Sequence, residues 1–251
     1  MEERLNKWLS QMGVCSRRGA GRLIEAGKVL VDNRPASMGQ KVTPGQKVVC
    51  NGKMVRVDRS QRPRPVLLAV NKPKGIVCTT TDKDRAENIV DFLGYPERIY
   101  PVGRLDKDSE GLLLMTNQGD LVNKIMRSGN AHEKEYIVTI DKPVTERFLE
   151  QMAGGIRLPE LDQVTRPCKV KKVERNTFSI ILTQGLNRQI RRMCEACGCQ
   201  VKRLVRVRIM NIRLGNLRMG AYRQITKEEY EELTGLLKDS SSLSLKERKN
   251  Q

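Results

Sequence analysis

Apolar residues at the start of the chain recur at helical spacing. Within residues 3–12 they stand at positions i, i+3, i+4 and i+7, which places them on one face of a helix. The hydroxyl of Ser16 can cap a second helix, which runs to about Ala26. Asn51-Gly52 interrupts an alternating apolar segment and is the strongest short signal for a β-hairpin. We therefore expect residues 1–60 to form a small compact domain.

Strand and helix patterns alternate in the rest of the chain, after a proline-containing segment at residues 61–65 that predicts a linker. Short apolar runs indicate buried strands. The predicted strands are Val66–Val70, Leu112–Met115, Tyr136–Ile140, Val170–Val173 and Phe178–Leu182. The predicted helices cover residues 121–126, Thr145 to Gly154, Asn187 to Gly198 and the segment opened by the capping box Thr226–Glu229. Residues 66–238 thus form a larger second domain, and the Ser- and Lys-rich residues 239–251 are expected to be disordered.

The charge of the chain narrows the class of partner. The 251 residues carry a formal net charge of +18, which favours a polyanion. Nucleic acid is the first candidate. An anionic membrane is the second, although no apolar run approaches the roughly 20 residues that a spanning helix needs. The N-terminal residues show no apolar signal-peptide core, so we expect a cytoplasmic protein.

Cysteine and histidine usage argues against several chemistries. Seven scattered cysteines and no export signal indicate reduced thiols. The single histidine, His132, excludes most Ser/His hydrolase and His-rich metal sites, and its loop position favours a solvated side chain. Cys194, Cys197 and Cys199 have zinc-like spacing but no second ligand pair, so they are expected to pack as small apolar residues. We expect neither a metal nor a cofactor.

One segment contains residues that could take part in catalysis. Gly103-Arg104-Leu105-Asp106 places a carboxylate in a glycine-flanked loop directly before a buried strand. The segment Asn71-Lys72-Pro73 precedes it, and Ser109-x-Gly111 follows it. A carboxylate beside an arginine suits nucleophilic or electrostatic work on a polyanionic substrate. The alternative is a structural aspartate that caps a turn or pairs with arginine.

Residues 101–119 resemble the signature motif of the RsuA/RluB/RluF branch of the RNA pseudouridine synthases. Two further motifs support the resemblance, Lys134-Glu135-Tyr136 and the segment of residues 184–193, which contains Gln-Ile-Arg. The resemblance implies that Asp106 is the catalytic residue, whether as nucleophile or as base. It also implies that Tyr136 stacks on the target base, that Arg191 pairs with Asp106, and that Leu204 packs under the base.

The first 60 residues resemble an S4 RNA-binding domain. Two stretches carry this resemblance, Arg4-Leu5-x-Lys7-x-Leu9 and Ser16-Arg17-Arg18 followed by Ile24-Glu25-x-Gly27-x-Val29. Arg17 and Arg18 fall in the first turn of a helix, where free backbone N–H groups and the helix dipole also favour phosphate. The alternative is a solvated basic helix face. The expected RNA-binding residues of the whole chain are Arg4, Lys7, Arg17, Arg18, Lys28, Lys72, Arg104, Arg188, Arg192 and Arg203.

The fold implied is α+β, with a small S4 domain joined to a catalytic domain built on a central, mostly antiparallel sheet. The activity implied is isomerisation of uridine to pseudouridine, and the motif variants are most similar to the RluF subgroup, which implies 23S ribosomal RNA as substrate and a monomeric enzyme without cofactor. Two alternatives remain open. One keeps the chemistry on another rRNA site, as in the RluB or 16S RsuA subgroups. The other is a non-catalytic S4 protein of ribosome assembly, which predicts a degenerate active site.

Overall fold

The computed structural model describes residues 2–55, 64–79 and 87–240. The predicted disordered tail beyond residue 240 and residues 61–63 of the predicted linker lie outside this described part. The chain divides into two compact units, Met1–Pro65 and Val66–Gln251. No helix in the described residues is long and apolar enough to cross a membrane.

The N-terminal unit packs two helices against short strands. The helices are α1 (Leu5–Gln11) and α2 (Arg17–Glu25), and the strands are β1 (Glu3–Arg4), β2 (Val29–Val31), β3 (Arg34–Pro35), β4 (Lys41–Val42), β5 (Val48–Cys50) and β6 (Lys53–Val55). The predicted cap is confirmed, because the Ser16 hydroxyl accepts a hydrogen bond of 2.9 Å from the Gly19 amide. Asn51 and Gly52 both have positive φ and join β5 to β6, as the hairpin signal predicts. Apolar side chains of both helices and four of the strands bury each other in one core.

The C-terminal unit is built from strands and helices in alternation. Its strands are β7 (Leu67–Lys72), β8 (Tyr100–Pro101), β9 (Glu110–Thr116), β10 (Lys134–Ile140), β11 (Arg157–Leu158), β12 (Gln163–Val164), β13 (Lys169–Glu174), β14 (Thr177–Leu182), β15 (Val201–Ile209), β16 (Ile212–Arg213) and β17 (Tyr222–Gln224). Its helices are α3 (Ile89–Leu93), α4 (Gly119–Met126), α5 (Glu146–Gly154), α6 (Gln189–Ala196) and α7 (Lys227–Leu236).

Nine of these strands form one sheet with the order β13-β14-β10-β15-β9-β7-β17, and β16 and β8 pair with β15 and β9. Every pair is antiparallel except β9 with β15, so the sheet is mostly antiparallel, as expected. Helices α5 and α6 cover one face of the β14-β10-β15 half. The β9-β7 half is covered on both faces, by α4 and α7 on one and α3 on the other.

The parallel pair positions the loop that carries the candidate motif. Gly111 of β9 lies opposite Arg206 of β15 and has a φ of 102°, a conformation that favours glycine. A β-carbon at Gly111 would clash with the Arg206 carbonyl oxygen and lie 2.8 Å from the Arg206 amide nitrogen. The glycine therefore permits the close approach of the two central strands. Because β9 begins at Glu110, the Asp106 loop is held at the middle of the sheet.

One predicted helix start is wrong. Asn187 does not cap α6, because Arg188 occupies the N-cap position with a φ of 50° and makes no side-chain cap. The side chain of Gln189 instead accepts a hydrogen bond of 3.1 Å from the Leu186 amide. The predicted end holds, since Gly198 adopts the left-handed conformation just after the helix. The capping box at Thr226 and Glu229 is also confirmed.

Candidate active site

A cavity of about 470 Å³ opens where the Asp106 loop meets strands β10 and β15 and the start of α6. All four positions that the motif resemblance places at the target base line it: Asp106, Tyr136, Arg191 and Leu204. The four residues are spread over about half the length of the C-terminal unit in sequence, and the fold brings them to one cavity. Roughly 300–1,000 Å³ is the ordinary range for a ligand pocket.

The Asp106 loop is held by backbone contacts on several sides. The Asp106 carbonyl accepts from the Ser109 amide at 3.0 Å, and the Lys107 carbonyl accepts from the Gly75 amide at 2.9 Å. The Leu105 amide donates to the Cys78 sulfur at 3.4 Å. Among the described residues, the half-buried carboxylate of Asp106 makes no hydrogen bond or ion pair. A fixed loop thus presents a free carboxylate to the cavity.

Arg191 lies in the same cavity but contacts backbone rather than the aspartate. Its Nη2 donates to the Asp108 carbonyl at 3.0 Å, and its Nη1 lies 3.4 Å from the Val201 carbonyl. The predicted ion pair with the Asp106 carboxylate is not formed among the described residues. The guanidinium therefore holds the loop at Asp108, two residues after Asp106.

Tyr136 and Leu204 lie on neighbouring antiparallel strands and both face the cavity. Tyr136 of β10 pairs with Arg206, and Val138 pairs with Leu204. Since alternate strand residues share a face, Leu204 lies beside the tyrosine ring. Leu204 is 5% exposed, so it serves both the core and the cavity wall.

Three of the basic residues expected to bind RNA are placed elsewhere. Lys72 is completely buried, and its Nζ donates to the Pro73 and Ser109 carbonyls at 2.7 and 2.8 Å. Burial also lowers the pKa of Lys72. This lysine supports the Asp106 loop from inside and is out of reach of a phosphate.

Arg203 and Arg192 are held by acidic side chains. Arg203 precedes Leu204 on β15 and therefore faces the opposite side of the sheet, where it pairs with Glu110. Arg192 pairs with Glu160 and donates to the Asn187 carbonyl. Neither lines the cavity, so the structure does not support their expected contact with RNA there.

Arg104 and Arg188 are exposed and line the cavity, and the Arg188 Nη1 lies 3.6 Å from the Asp108 Oδ2. In the N-terminal unit the side chains of Arg4, Arg17, Arg18 and Lys28 are exposed. Lys7 is partly buried and pairs with Glu3 at 3.2 Å. The S4-like set is thus mostly free for a polyanion.

Sequence reasoning missed two buried cations of the cavity, Lys134 and Arg206. Lys134 stands two residues before Tyr136 on β10, so strand alternation alone would place it on the tyrosine's face. Arg206 stands two residues after Leu204 on β15 in the same way. Four basic residues fall within residues 202–208, and this basic composition obscures the pattern.

Two of the three cysteines at the end of α6 lie in the packed interior. Cys194 and Cys199 are buried, and Cys194 belongs to the core beneath α6. Burial raises the pKa of the Cys168 thiol to about 11 and raises that of Cys194 still further. Within the described residues, no group of three or more His, Cys, Asp or Glu side chains could hold a metal ion.

Comparison with known proteins gives two family matches. The model for RNA pseudouridylate synthase matches residues 66–196, and the S4 domain model matches residues 3–48. The dual-specificity RNA pseudouridine synthase RluF of Escherichia coli K12 is 52% identical over 239 residues, which cover 95% of this chain and 81% of that protein. The ribosomal large subunit pseudouridine synthase B of Bacillus subtilis is 36% identical over 242 residues, covering 93% and 96%. A crystal structure of a pseudouridylate synthase superposes with a TM-score of 0.67 at 27% identity, covering 92% of this chain and 99% of the other.

Proposed function

The chain belongs to the RNA pseudouridylate synthase family, and we propose that it isomerises uridine to pseudouridine in ribosomal RNA, with 23S rRNA as the substrate. The observation that carries the proposal is the free Asp106 carboxylate in a cavity shared with Tyr136, Arg191 and Leu204. The 52% identity to a dual-specificity RNA pseudouridine synthase supports the RluF-type substrate over the RluB type, whose relative is 36% identical.

The reaction rearranges one bond within the substrate. The N1–C1′ bond of uridine breaks, the detached base turns, and C5 bonds to C1′. The C5 proton is then lost and N1 gains one, so no atom is added or removed overall. Asp106 either bonds to C1′ or takes a proton from the sugar, and each role needs the unpaired carboxylate that the loop presents.

The remaining cavity residues position the substrate. We assign stacking on the base to Tyr136 and packing beneath it to Leu204, because the two lie side by side on one face of the sheet. Arg191 keeps the Asp106 loop in place through the Asp108 carbonyl. Arg104 and Arg188 are exposed and suit the phosphates beside a uridine that has left its stack.

The alternative of a non-catalytic S4 protein has less support. A binding protein has no need of a free carboxylate that lines a cavity of about 470 Å³. The cavity is complete within residues 103–206 of a single chain, so we propose a monomer. Action on ribosomal RNA supports a cytoplasmic location, which we include in the proposal.

Replacement of Asp106 by Asn tests this function. The change removes the charge at nearly constant volume, so we expect pseudouridine formation to be lost while affinity for RNA stays within a few fold. The measurement is tritium release from RNA labelled at uridine C5. Asp162→Asn is the matched control, because Asp162 is exposed and its left-handed φ of 47° suits Asn.

The target is identified by mapping pseudouridine in rRNA from cells with and without the protein. A missing modification in 23S rRNA supports the proposal, and one in 16S rRNA moves the enzyme to the RsuA-type substrate.

Substantial turnover by the Asp106→Asn variant would exclude Asp106 as the catalytic residue.

A further inference from the structure

Two cations are buried together at the inner end of the active-site cavity. Lys134 of β10 is 7% exposed and Arg206 of β15 is 2% exposed, and both line the cavity. In the sheet Arg206 pairs with Tyr136 on one side and with Gly111 on the other. Arg206 therefore lies beside the tyrosine and next to the strand that follows Asp106, and Lys134 lies two residues before the tyrosine on the same strand.

Neither cation has an acidic partner among the described residues. Arg206 donates through Nε to the Leu112 carbonyl at 2.7 Å and through Nη1 to the Arg104 carbonyl at 3.4 Å. Its Nη2 is buried and makes no hydrogen bond in the described part of the chain. The Nζ of Lys134 has one long contact, 3.4 Å to the His132 carbonyl. Several donors are thus left for a group that enters the cavity.

Two unpaired charges in this position lower the stability of the folded state. Burial costs each of them hydration, and like charges repel. Burial and then Arg206 lower the pKa of Lys134 to about 8, so the lysine still carries its proton at neutral pH. Ionisable groups whose pKa is shifted by burial and by a neighbouring charge are concentrated at functional sites. The charged and titratable groups that share the cavity with Lys134 are Arg104, Asp106, Tyr136, Arg188, Arg191 and Arg206.

We propose that Lys134 and Arg206 form the site that binds the detached uracil as an anion, an inference that rests on the proposed function. When N1–C1′ breaks, the bonding electron pair stays with the base, which becomes a monoanion with charge spread over N1, O2 and O4. The two cations donate hydrogen bonds to this charge and transfer no proton. Once C5 bonds to C1′ the base is neutral again and the hydrogen bonds weaken. The C5 proton then leaves and N1 gains one, so the base stays neutral in the product.

The burial of the pair favours the base over a phosphate as its ligand. A phosphate stays on the RNA backbone and near solvent, where the exposed Arg104 and Arg188 line the same cavity. The base is the part of the nucleotide that enters the buried part of the cavity. Preformed donors aimed at charge that develops during the reaction stabilise the transition state more than the bound substrate. The site should therefore control the rate and not the affinity.

The Lys134→Met variant of the full-length chain distinguishes an effect on the reaction rate from an effect on RNA affinity. At saturating enzyme we expect the single-turnover rate on a target stem-loop to fall by roughly 10²–10³-fold, the usual loss for one donor to a developing anion. The dissociation constant for the RNA should change by less than about twofold, because one unmade contact in the ground state is worth little. Lys227→Met, an exposed lysine of α7, should change neither value.

A leaving-group test identifies the anion. Fluorine at C5 withdraws electrons and stabilises the uracil anion without help, so Lys134→Met should lose several-fold less rate on RNA that carries 5-fluorouridine at the target. Consumption of the nucleoside is followed by nuclease digestion and mass spectrometry. The same rate loss on both RNAs would overturn the assignment. So would a large loss of RNA affinity with the saturating rate intact, since that result describes a phosphate site.

Thermal melting distinguishes a functional cation from a structural one. Removal of an unpaired buried charge should leave the melting temperature of Lys134→Met equal to or above that of the wild type. A lower melting temperature, both in this variant and in Lys134→Gln, would mean that the lysine supports the fold and would contradict the proposal. Inactive wild-type protein would instead refute the proposed function, so the two failures are distinguishable.

Discussion

The Asp106 carboxylate has no partner among the described residues, while Lys134 and Arg206 carry buried charge without an acidic neighbour. Most buried polar groups in folded proteins are satisfied, because an unmet donor or charge costs free energy. Asp106, Lys134 and Arg206 all line one cavity. At the scale of single residues, the enzyme keeps its reactive groups unpaired and supports them with Lys72 and Arg191, which bond to the backbone of the loop.

The buried lysine makes stability depend on pH in a defined direction. The pKa of Lys134 is about 8 when folded and 10.5 as the ordinary value, so between these pH values the unfolded chain binds more protons. Folding stability attributable to Lys134 therefore rises from about pH 8 to about pH 10.5, by at most roughly 3 kcal/mol. Below pH 8 the full cost of the buried charge is present.

Lys134→Met isolates this contribution. We expect the variant's advantage in melting temperature over the wild type to be largest below pH 8 and to shrink as the pH rises towards 10. The measurement is melting of both proteins across that range, with Lys227→Met as the reference for an exposed lysine. A constant difference at every pH would contradict the assignment of a lowered pKa.

Local signals predicted many of the elements correctly. The turn at Asn51-Gly52, the cap at Ser16 and the box at Thr226 each depend on neighbouring residues, so they could be deduced from the sequence. The start of α6 could not, because a left-handed Arg188 replaces the ordinary cap. Likewise, the burial of Arg206 follows from its place in the middle of a nine-stranded sheet, which depends on strands distant in sequence.

The close pairing of β9 with β15 predicts a large effect from one added methyl group. Gly111→Ala places a β-carbon against the Arg206 backbone at a φ of 102°, so the strands must separate or the loop must move. We expect destabilisation of the catalytic unit by about 2 kcal/mol or more. We also expect loss of turnover, because Arg206 and the Asp106 loop shift together. Chemical denaturation and tritium release measure the two effects.

Gly21 of α2 provides the contrasting control. Its backbone is helical, and a β-carbon there would lie 3.7 Å from the Met38 Cε, an ordinary contact. Gly21→Ala should therefore stabilise the N-terminal unit by about 0.5–1 kcal/mol and leave turnover unchanged. A stable, active Gly111→Ala enzyme would show that the two central strands can adapt, contrary to the geometry.

Each unit of the molecule has its own hydrophobic core and its own set of free cations. The core of the N-terminal unit lies within residues 5–55, and the three cores of the other unit lie beyond residue 65. The family could be predicted from motifs within each unit, and so could four side chains that line the cavity, Asp106, Tyr136, Arg191 and Leu204. What the sequence could not provide was the pairing of charges. Lys72, Arg192 and Arg203 are basic, as RNA-binding residues often are. Lys72 is already bonded to backbone carbonyl groups of the protein, and the two arginines are paired with glutamates.

The N-terminal unit should supply affinity rather than chemistry. Residues 1–59 carry a net charge of +7, and the exposed Arg17 and Arg18 stand in the first turn of α2. Phosphate contacts position an RNA and release counterions, and each contact contributes about 0.7–0.9 to the slope of log affinity against log salt. The double variant Arg17→Gln/Arg18→Gln should therefore bind a target stem-loop more weakly, with a slope reduced by up to about twice that value. Its single-turnover rate at saturating enzyme should match the wild type.

The control is a double variant of equal charge on the same unit, Arg34→Gln/Lys53→Gln, which alters two exposed positions on strands β3 and β6. If the first turn of α2 is the phosphate-binding surface, this control keeps most of the slope, since general loss of charge acts weakly through a screening length of roughly 10 Å at 0.1 M salt. Binding is measured at several KCl concentrations for all three proteins. Equal slopes in the wild type and the Arg17/Arg18 variant would show that this helix does not hold the RNA. Equal losses in both variants would mean that the unit attracts RNA by its total charge and not through one surface.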